Sequence, residues 1–263
     1  MKIGYTSDIH IDINEKKPVI QELIRVAREQ KVEMLLIGGD ISNFGGLSLS
    51  TMEYVQNVLE IPVHFVLGNH DYYDCGDKFH QYRKEQNTFP VIGDGFGIIG
   101  DTGWYDYSWY FKGSRSLQKV MKGKVSTGFT WPDHRFINWP KDIEGDRMKW
   151  FTEYSLNEMK RQNDILDSAG ITRKIVVMHM VPTYDLLESS FEYLETNVYF
   201  GADKTDKWIK EIKPEMVLFG HTHQIKDKMI DGTWYVCSPV GYEFEWGTDT
   251  YNRVKNRFMT FEV

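Results

Sequence analysis

The sequence predicts an α/β fold in which two sheets pack face to face and helices cover both outer faces. Three observations predict it. Short apolar segments alternate with longer amphipathic ones through most of the chain, the C-terminal part contains only strand-like segments, and Asp231-Gly232 joins two of these as a hairpin turn. The chain has 263 residues, of which 41% are hydrophobic and 26% charged, so it is long and apolar enough to bury the core of such a fold.

The first part of the chain alternates strands with helices. A β-α-β alternation is typical of a partly parallel sheet whose faces are covered by helices. The predicted strands are Ile3–Thr6, Met34–Ile37 and Val63–Leu67, and the predicted helices are Pro18–Gln30 and a segment near Leu49–Leu59.

The second part repeats this alternation and then continues with strands alone. Pro214 marks the end of its second helix, because proline cannot continue a helix. The predicted helices are Asp146–Gln162 and Asp203–Ile212, and the predicted strands are Gly97–Gly100, Lys174–Met178, Met216–Phe219, Ile225–Ile230, Thr233–Cys237 and Arg257–Glu262.

Residues 104 to about 141 have neither a strand nor a helix period. We therefore expect one domain over residues 1–263 with an inserted cap or long loop at about 104–141. Its aromatic side chains suit stacking on a flat substrate group, or alternatively shielding of the site or a dimer contact. They are Trp104, Tyr105, Tyr107, Trp109, Tyr110, Phe111, Phe129, Trp131, Phe136 and Trp139, interleaved with Lys112, Arg115, Lys119, Lys122, Lys124 and Arg135.

The composition excludes several functions. A formal net charge of −7 argues against a general electrostatic attraction to nucleic acid or to an anionic membrane. No apolar stretch is long enough to span a membrane, and MKIGYTSDIH at the N-terminus lacks the apolar core of a signal peptide. Cys75 and Cys237 are too few for a disulfide framework. These features predict a cytoplasmic protein.

Five polar motifs stand where predicted strands end: DIH at 8–10, GGD at 38–40, GNHD at 68–71, MHM at 178–180 and GHTH at 220–223. The carboxyl ends of parallel strands are where α/β folds place ligands. Each motif alone is a weak signal, but together they supply oxygen and nitrogen donors without a thiolate, which suits Mn, Fe, Zn or similar ions. The candidate donors are Asp8, His10, Asp40, Asn69, His179, His221 and His223.

The ordered set D-x-H, G-D, G-N-H-D, H and G-H-x-H, spread over residues 8 to 223, resembles that of the calcineurin-like metallophosphoesterase superfamily. The resemblance implies a four-layer α/β/β/α sandwich of two mixed sheets flanked by helices. It also implies a pair of divalent metal ions. Asp8, His10 and His223 would hold one ion, Asn69, His179 and His221 the other, and Asp40 would bridge both.

The implied activity is hydrolysis of a phosphodiester or phosphomonoester, such as a nucleotide or another small phosphate ester. A hydroxide bridging the metals would attack the phosphorus, because bound metals lower the pKa of water and stabilise the transition state. In GNHD, Asn69 would be a neutral ligand and His70 the general acid that protonates the departing oxygen, with Asp71 orienting the His70 ring. Alternatively, Asp71 caps the next segment and His70 is a surface residue. Of the other histidines, His134 is a candidate for substrate contact.

One motif departs from the superfamily. Its protein serine/threonine phosphatases carry G-D-x-x-D-R-G, whose Arg grips the substrate phosphate, whereas this chain has GDISNFG at 39–45, with Asn43 and Phe44 in place of the Asp and Arg. The missing guanidinium argues against phosphoprotein substrates, unless Lys112 or Arg115 replaces it.

Two other functions remain open. One is a DNA-processing nuclease of the same superfamily, which only the aromatic and basic insertion supports. The other is a non-catalytic binding or scaffold protein that keeps the fold. The presence of His70 and of every ligand position favours the enzyme.

Overall fold

The computed structural model describes residues 1–86, 89–110, 117–125, 128, 130–187 and 195–263. The strands are β1 (Lys2–Thr6), β2 (Met34–Ile37), β3 (Val63–Phe65), β4 (Val91–Ile92), β5 (Phe96–Asp101), β6 (Arg173–Met178), β7 (Met216–Phe219), β8 (Lys226–Ile230), β9 (Thr233–Cys237) and β10 (Met259–Glu262). The α-helices are α1 (Val19–Gln30), α2 (Gly45–Leu59), α3 (Phe79–Glu85), α4 (Leu117–Val120), α5 (Pro132–Phe136), α6 (Arg147–Ser168), α7 (Asp203–Ile212) and α8 (Thr250–Asn256).

The strands form two mixed sheets. The four-stranded sheet has the order β10-β1-β2-β3, with β1, β2 and β3 parallel and β10 antiparallel at the edge. The six-stranded sheet has the order β4-β5-β6-β7-β9-β8, with a parallel centre and an antiparallel strand at each edge. The predicted fold class, two mixed sheets flanked by helices, is confirmed.

An apolar layer fills the space between the sheets. Ile3 and Tyr5 of β1 lie in one buried cluster with Ile98 of β5 and Val177 of β6. The Tyr5 hydroxyl also donates to the carbonyl oxygen of Phe219, 2.6 Å away, and so links β1 to β7 across the sandwich. Because side chains alternate across a strand, the neighbouring residues of each strand face outward toward the helices.

Helices cover the two outer faces. Leu23 and Ala27 of α1 belong to the same buried cluster as Leu35 of β2. On the six-stranded sheet, Gln162 of α6 forms two hydrogen bonds with the backbone of Gly100 in β5, at 2.8 and 3.0 Å. These contacts hold the helices in place and leave the carboxyl ends of the parallel strands free for the loops described below.

Some element boundaries differ from the sequence prediction. The second helix begins at Gly45 rather than near Leu49, because the Gly45 N–H finds an acceptor in Asp74, 2.8 Å away. A Cβ atom at Gly45 would lie 2.3 Å from the ring of Tyr82, so this helix start also requires glycine. The short strand β4 and the helices α3 and α8 were not predicted.

The described part of residues 104–141 contributes no strand to either sheet. It contains α4 and α5, and its first aromatic residues are buried: Trp104 and Tyr105 stack on each other, and Trp104 packs against Phe151 of α6. Phe111, Lys112, Arg115 and Phe129 lie outside the described residues. The division into one domain with an insertion stays a prediction.

Candidate metal centre

All seven predicted donor side chains lie on one edge, where the carboxyl ends of the strands of both sheets meet. The loops after β1 and β2 are joined by a hydrogen bond from Asp8 N–H to Gly39 O at 2.9 Å. The loops after β6 and β7 are joined by Gly220 N–H and His179 O at 3.0 Å. Residues 7 and 239 pair between the ends of β1 and β9, so the two sheets share this edge.

Left-handed backbone conformations turn these loops sharply. Asp8, His10, Asp40, His221 and His223 have φ values of 52°, 47°, 52°, 72° and 53°. Non-glycine residues adopt this region at an energetic cost, and such residues cluster at functional sites. Here the sharp turns direct the side chains of neighbouring loops toward one another.

The first donor group consists of Asp8, His10, Asp40 and His223, whose donor atoms all lie within 4.8 Å of one another. Nε2 of His10 lies 3.0 Å from Nε2 of His223, which is in turn 3.5 Å from Oδ1 of Asp8. Nδ1 of His223 donates to Glu245 at 3.0 Å, which directs Nε2 into the group.

The second donor group consists of Asn69, His179 and His221, together with Asp40. Oδ1 of Asn69 lies 3.0 Å from Nε2 of His179 and 3.0 Å from Nδ1 of His221. Nδ1 of His179 donates to the carbonyl oxygen of Gly38 at 2.8 Å, so that its Nε2 faces the other donors.

Asp40 joins the two groups through different oxygen atoms. Its Oδ2 lies 3.7 Å from Nε2 of His10, and its Oδ1 lies 3.3 Å from Nε2 of His179. The assignment of these donors to two metal ions stays a prediction.

The donor set fits divalent metal ions. Oδ2 of Asp8 and Nε2 of His221 are buried and have no hydrogen-bond partner within the described part of the chain. In the absence of a cation, burial of a carboxylate oxygen that has no hydrogen-bond partner costs free energy. A bound cation would remove this cost and would also explain why imidazole nitrogens lie so close together. Carboxylate, amide and imidazole donors suit Mn, Fe or Zn.

Burial and mutual charge shift the pKa values of these groups. Burial raises the pKa of the Asp8 carboxyl and lowers the pKa values of His10 and His221 well below their ordinary value. Burial alone would raise the pKa of Asp40, but the neighbouring imidazoles, His179 foremost, hold it well below its usual range. Burial likewise opposes the charged form of His179, yet the Asp40 carboxylate raises its pKa to about 9. Neutral His10 and His221 keep a lone pair free for a metal.

His70 lies at the edge of this cluster, where we predicted a general acid. Its Nδ1 is 2.6 Å from Oδ1 of Asn43, and its Nε2 is 3.3 Å from the hydroxyl of Tyr242 and 3.9 Å from Oδ2 of Asp40. His70 is therefore held by Asn43 and presents Nε2 toward the donors.

The prediction that Asp71 orients His70 is wrong. The Asp71 carboxylate is fully buried and accepts hydrogen bonds from the N–H groups of Ser42 and Gly68 at 3.0 and 2.8 Å, and from the Ser48 hydroxyl. Residues on successive positions of a 3₁₀ turn point in different directions, so Asp71 turns inward while His70 faces the cleft. Asp71 instead ties together the loops after β2 and β3.

Sequence reasoning missed four residues at the site: Asn43, Asp133, Tyr242 and Glu245. Asn43 was noted only as a departure from the phosphatase motif. Tyr242 and Glu245 follow the end of β9, so the strand-end rule that located the other motifs would have pointed to them had it been applied to this strand. Asp133 lies in α5 and carries no local signal of its role.

A cleft of about 280 Å³ opens over the donor groups. Its walls include Trp131, Phe200, Tyr242 and Glu245 beside the donors and His70. His134 is not among the residues that line it, and its Nε2 lies 3.2 Å from the Tyr107 hydroxyl. Among the described residues, no helix is both long enough and apolar enough to cross a membrane.

The fold and the two donor groups agree with the class of a metal-dependent phosphoester hydrolase. The chain belongs to the calcineurin-like phosphoesterase family, whose model matches residues 1–225. The predicted resemblance is thereby confirmed. A comparison with curated protein sequences finds no match.

Solved structures with this fold span nearly the whole chain. Phosphopantetheinyl hydrolase from Mycobacterium tuberculosis is similar with a TM-score of 0.70 and 19% identity, over 93% of this chain and 91% of its own. A protein of Thermus thermophilus has a TM-score of 0.54 and 14% identity, over 99% and 97%. A dimetal phosphatase from Danio rerio has a TM-score of 0.50 and 13% identity, over 90% and 86%. At these identities the similarity concerns the fold.

Proposed function

We propose that this protein hydrolyses small phosphodiesters, with two divalent metal ions held by the two donor groups. The observation that carries this proposal is the position of Asp40, which offers Oδ2 to His10 and Oδ1 to His179, at 3.7 and 3.3 Å. When bound, the ions would lower the pKa of a water molecule and neutralise charge on the phosphoryl group. Asp8, His10 and His223 would hold one ion, Asn69, His179 and His221 the other.

His70 is the group that protonates the departing ester oxygen. Because the amide oxygen of Asn43 only accepts hydrogen bonds, it keeps a proton on Nδ1 of His70. Nε2 is then the position that gains and gives up a proton, and it faces the cleft beside Tyr242. General acids placed in this way lower the barrier for leaving groups that depart poorly as anions.

The cleft favours a phosphate with a single negative charge. None of the described residues that line it is Lys or Arg, and Glu245 adds a carboxylate. Phe44, at the position where protein phosphatases of the superfamily carry Arg, is 51% exposed. A monoester dianion would lack the bidentate cation that normally grips it, whereas a diester monoanion needs less compensation.

Exposed aromatic side chains beside His70 suit a flat or apolar ester group. Phe244 is 78% exposed and lies 5.1 Å from the ring of Tyr242. Phe136 is 46% exposed and lies 5.3 Å from Tyr73, whose ring is 4.5 Å from that of His70. Exposed apolar surface near a cleft that holds a few polar groups is typical of a binding site.

Hydrolysis of bis(p-nitrophenyl) phosphate and p-nitrophenyl phosphate tests this function. We expect the Mn²⁺- or Zn²⁺-loaded protein to have a kcat/KM at least about tenfold higher for the diester, equivalent to about 1.4 kcal/mol. Chelation should abolish both activities. A Phe44→Arg variant should shift the preference toward the monoester by supplying a guanidinium, while Phe44→Leu serves as its control. A faster monoester reaction in the wild type, or full activity after chelation, would contradict the proposal.

A further inference from the structure

Asp133 is a buried carboxylate beside the second donor group. It lies in α5, is fully shielded from solvent, and is 64 positions away from Asn69 in the sequence. No cation pairs with it in the described part of the chain. Its charge is held by neutral donors alone, which is unfavourable unless every oxygen is well satisfied.

Asn69, Tyr73 and Trp131 donate hydrogen bonds to this carboxylate within the described part of the chain. Oδ1 accepts from Nδ2 of Asn69 at 2.8 Å and from the hydroxyl of Tyr73 at 3.0 Å, and Oδ2 accepts from Nε1 of Trp131 at 3.0 Å. Each donor is polarised toward the negative charge, which makes such bonds stronger than those between neutral groups.

The bond to Asn69 determines which end of its amide faces the imidazoles. With Nδ2 directed to Asp133, Oδ1 of Asn69 lies 3.0 Å from a nitrogen of His179 and 3.0 Å from one of His221. In the flipped orientation the amide oxygen would face a carboxylate, which has only acceptors, and the NH₂ group would face the imidazoles. Asp133 therefore excludes the orientation in which Asn69 cannot donate an oxygen lone pair to a metal.

We propose that Asp133 is a positioning residue that sets the affinity of the second donor group for a divalent ion by fixing the Asn69 amide. The inference rests on the proposed function only in that these donors bind a metal. Because Asp133 comes from the segment 104–141, the seating of α5 against the site and metal binding at the second donor group stabilise each other, and such coupling is reciprocal.

Titration of metal-free protein with Mn²⁺, followed by calorimetry and by the electron spin resonance signal of coupled ions, tests this role. In Asp133→Asn, the new side chain has only one acceptor oxygen, whereas the carboxylate used one oxygen for Asn69 and Tyr73 and the other for Trp131. If the new oxygen accepts from Asn69, the new NH₂ group faces the Nε1–H of Trp131, and two donors oppose each other. We expect the second ion to bind about 10–100-fold more weakly and the first ion to bind as in the wild type.

Two further variants separate positioning from a general loss of structure. Tyr73→Phe removes the hydroxyl that donates to Asp133 and also accepts from Nδ2 of Asn69 at 3.2 Å, but it leaves the 2.8 Å bond between Asn69 and Asp133. If that bond alone fixes the amide, Mn²⁺ affinity should change less than about threefold, within ordinary variation for neutral bonds. Trp131→Phe added to Asp133→Asn removes the opposed N–H groups and should restore part of the affinity, whereas a merely structural role predicts additive losses.

The outcomes divide clearly. Selective weakening of the second ion with partial recovery in the double variant supports the inference. Wild-type affinity for both ions in Asp133→Asn, equal loss of both ions, or a wild type that binds only one ion would overturn it. If the ions bind as expected but no ester is hydrolysed by the wild type, the proposed function fails and the inference stands.

Discussion

Nδ1 of His70 lies 2.6 Å from Oδ1 of Asn43, although the two residues are 27 positions apart in the chain. The contact joins the loop after β2 to the loop after β3 at the mouth of the cleft. It leaves Nε2 of His70 beside the Tyr242 hydroxyl at the cleft.

This arrangement predicts that replacing His70, the proposed general acid, has a different effect from replacing a metal ligand such as its neighbour Asn69. His70→Asn should lower turnover roughly 10²–10⁴-fold with metal content unchanged. The loss should be smallest for a nitrophenol leaving group and largest for an alkyl alcohol, because only the latter needs protonation. Rates measured against leaving-group pKa check this. A flat profile together with depleted metal would show that His70 is a ligand.

Asn43→Ala should reproduce the leaving-group trend more weakly, with a loss of about 10–100-fold, because the His70 ring is no longer held. Asn43→Asp keeps an acceptor oxygen at the same place and should recover much of the rate. Equal losses in both variants would mean that the position matters for folding rather than for aiming His70.

Asp40 should be indispensable for binding of both ions. Asp40→Ala removes the carboxylate shared by the two donor groups, so two cations would face each other without the intervening anion. We expect fewer than two ions per chain by elemental analysis and a turnover at least about 10²-fold lower. Asp12→Asn is the matched control for metal content, because Asp12 accepts the Asn43 N–H at 3.1 Å and belongs to neither donor group. Two ions and near-normal turnover in Asp40→Ala would place the bridge elsewhere.

Asp8 should lower the stability of the metal-free protein and raise that of the loaded one. Its buried Oδ2 has no hydrogen-bond partner within the described residues, and burial raises its pKa. In urea unfolding with chelator, Asp8→Asn should therefore be about 0.5–2 kcal/mol more stable than the wild type. At a free Mn²⁺ concentration of 100 times the wild type's Kd, each bound ion should stabilise the wild type by about 2.7 kcal/mol and the variant by much less. An equal gain in both would exclude Asp8 as a ligand.

The buried ion pair between Arg83 and Asp101 should matter far more than an exposed pair of similar geometry. The guanidinium donates to both carboxylate oxygens, at 2.8 and 2.6 Å, and both side chains are 5% exposed. Arg83→Met should lower the free energy of unfolding by about 3–5 kcal/mol, because it leaves Asp101 buried without its cation.

Arg173 and Glu215 provide the control, since they are joined by two hydrogen bonds at 3.0 and 3.2 Å but are 48% and 53% exposed. Arg173→Met should cost about 0–1 kcal/mol. Denaturant unfolding of both variants measures the difference. Similar losses in the two variants would contradict the role of burial.

The sequence predicted most strands and helices to within a few residues, because their apolar patterns are local. It did not predict that α2 begins at Gly45, since this start depends on an acceptor from Asp74 and on the close approach of Tyr82. The sequence also assigned Asp71 to His70 because the two residues are neighbours. In the folded chain Asp71 points inward to Ser42 and Gly68.

The sequence by itself determined the fold class, through the alternation of apolar and amphipathic segments, and the chemical types of the candidate donors, through the residues that follow the strands. Only the tertiary structure decided which groups orient the candidate donors and His70. Asn43 holds His70, Asp133 holds Asn69, and Glu245 holds His223, across 27, 64 and 22 positions of the chain. Such pairs depend on the direction in which each side chain leaves its loop and on which loops the sheets bring together, and no local pattern in the sequence carries that information.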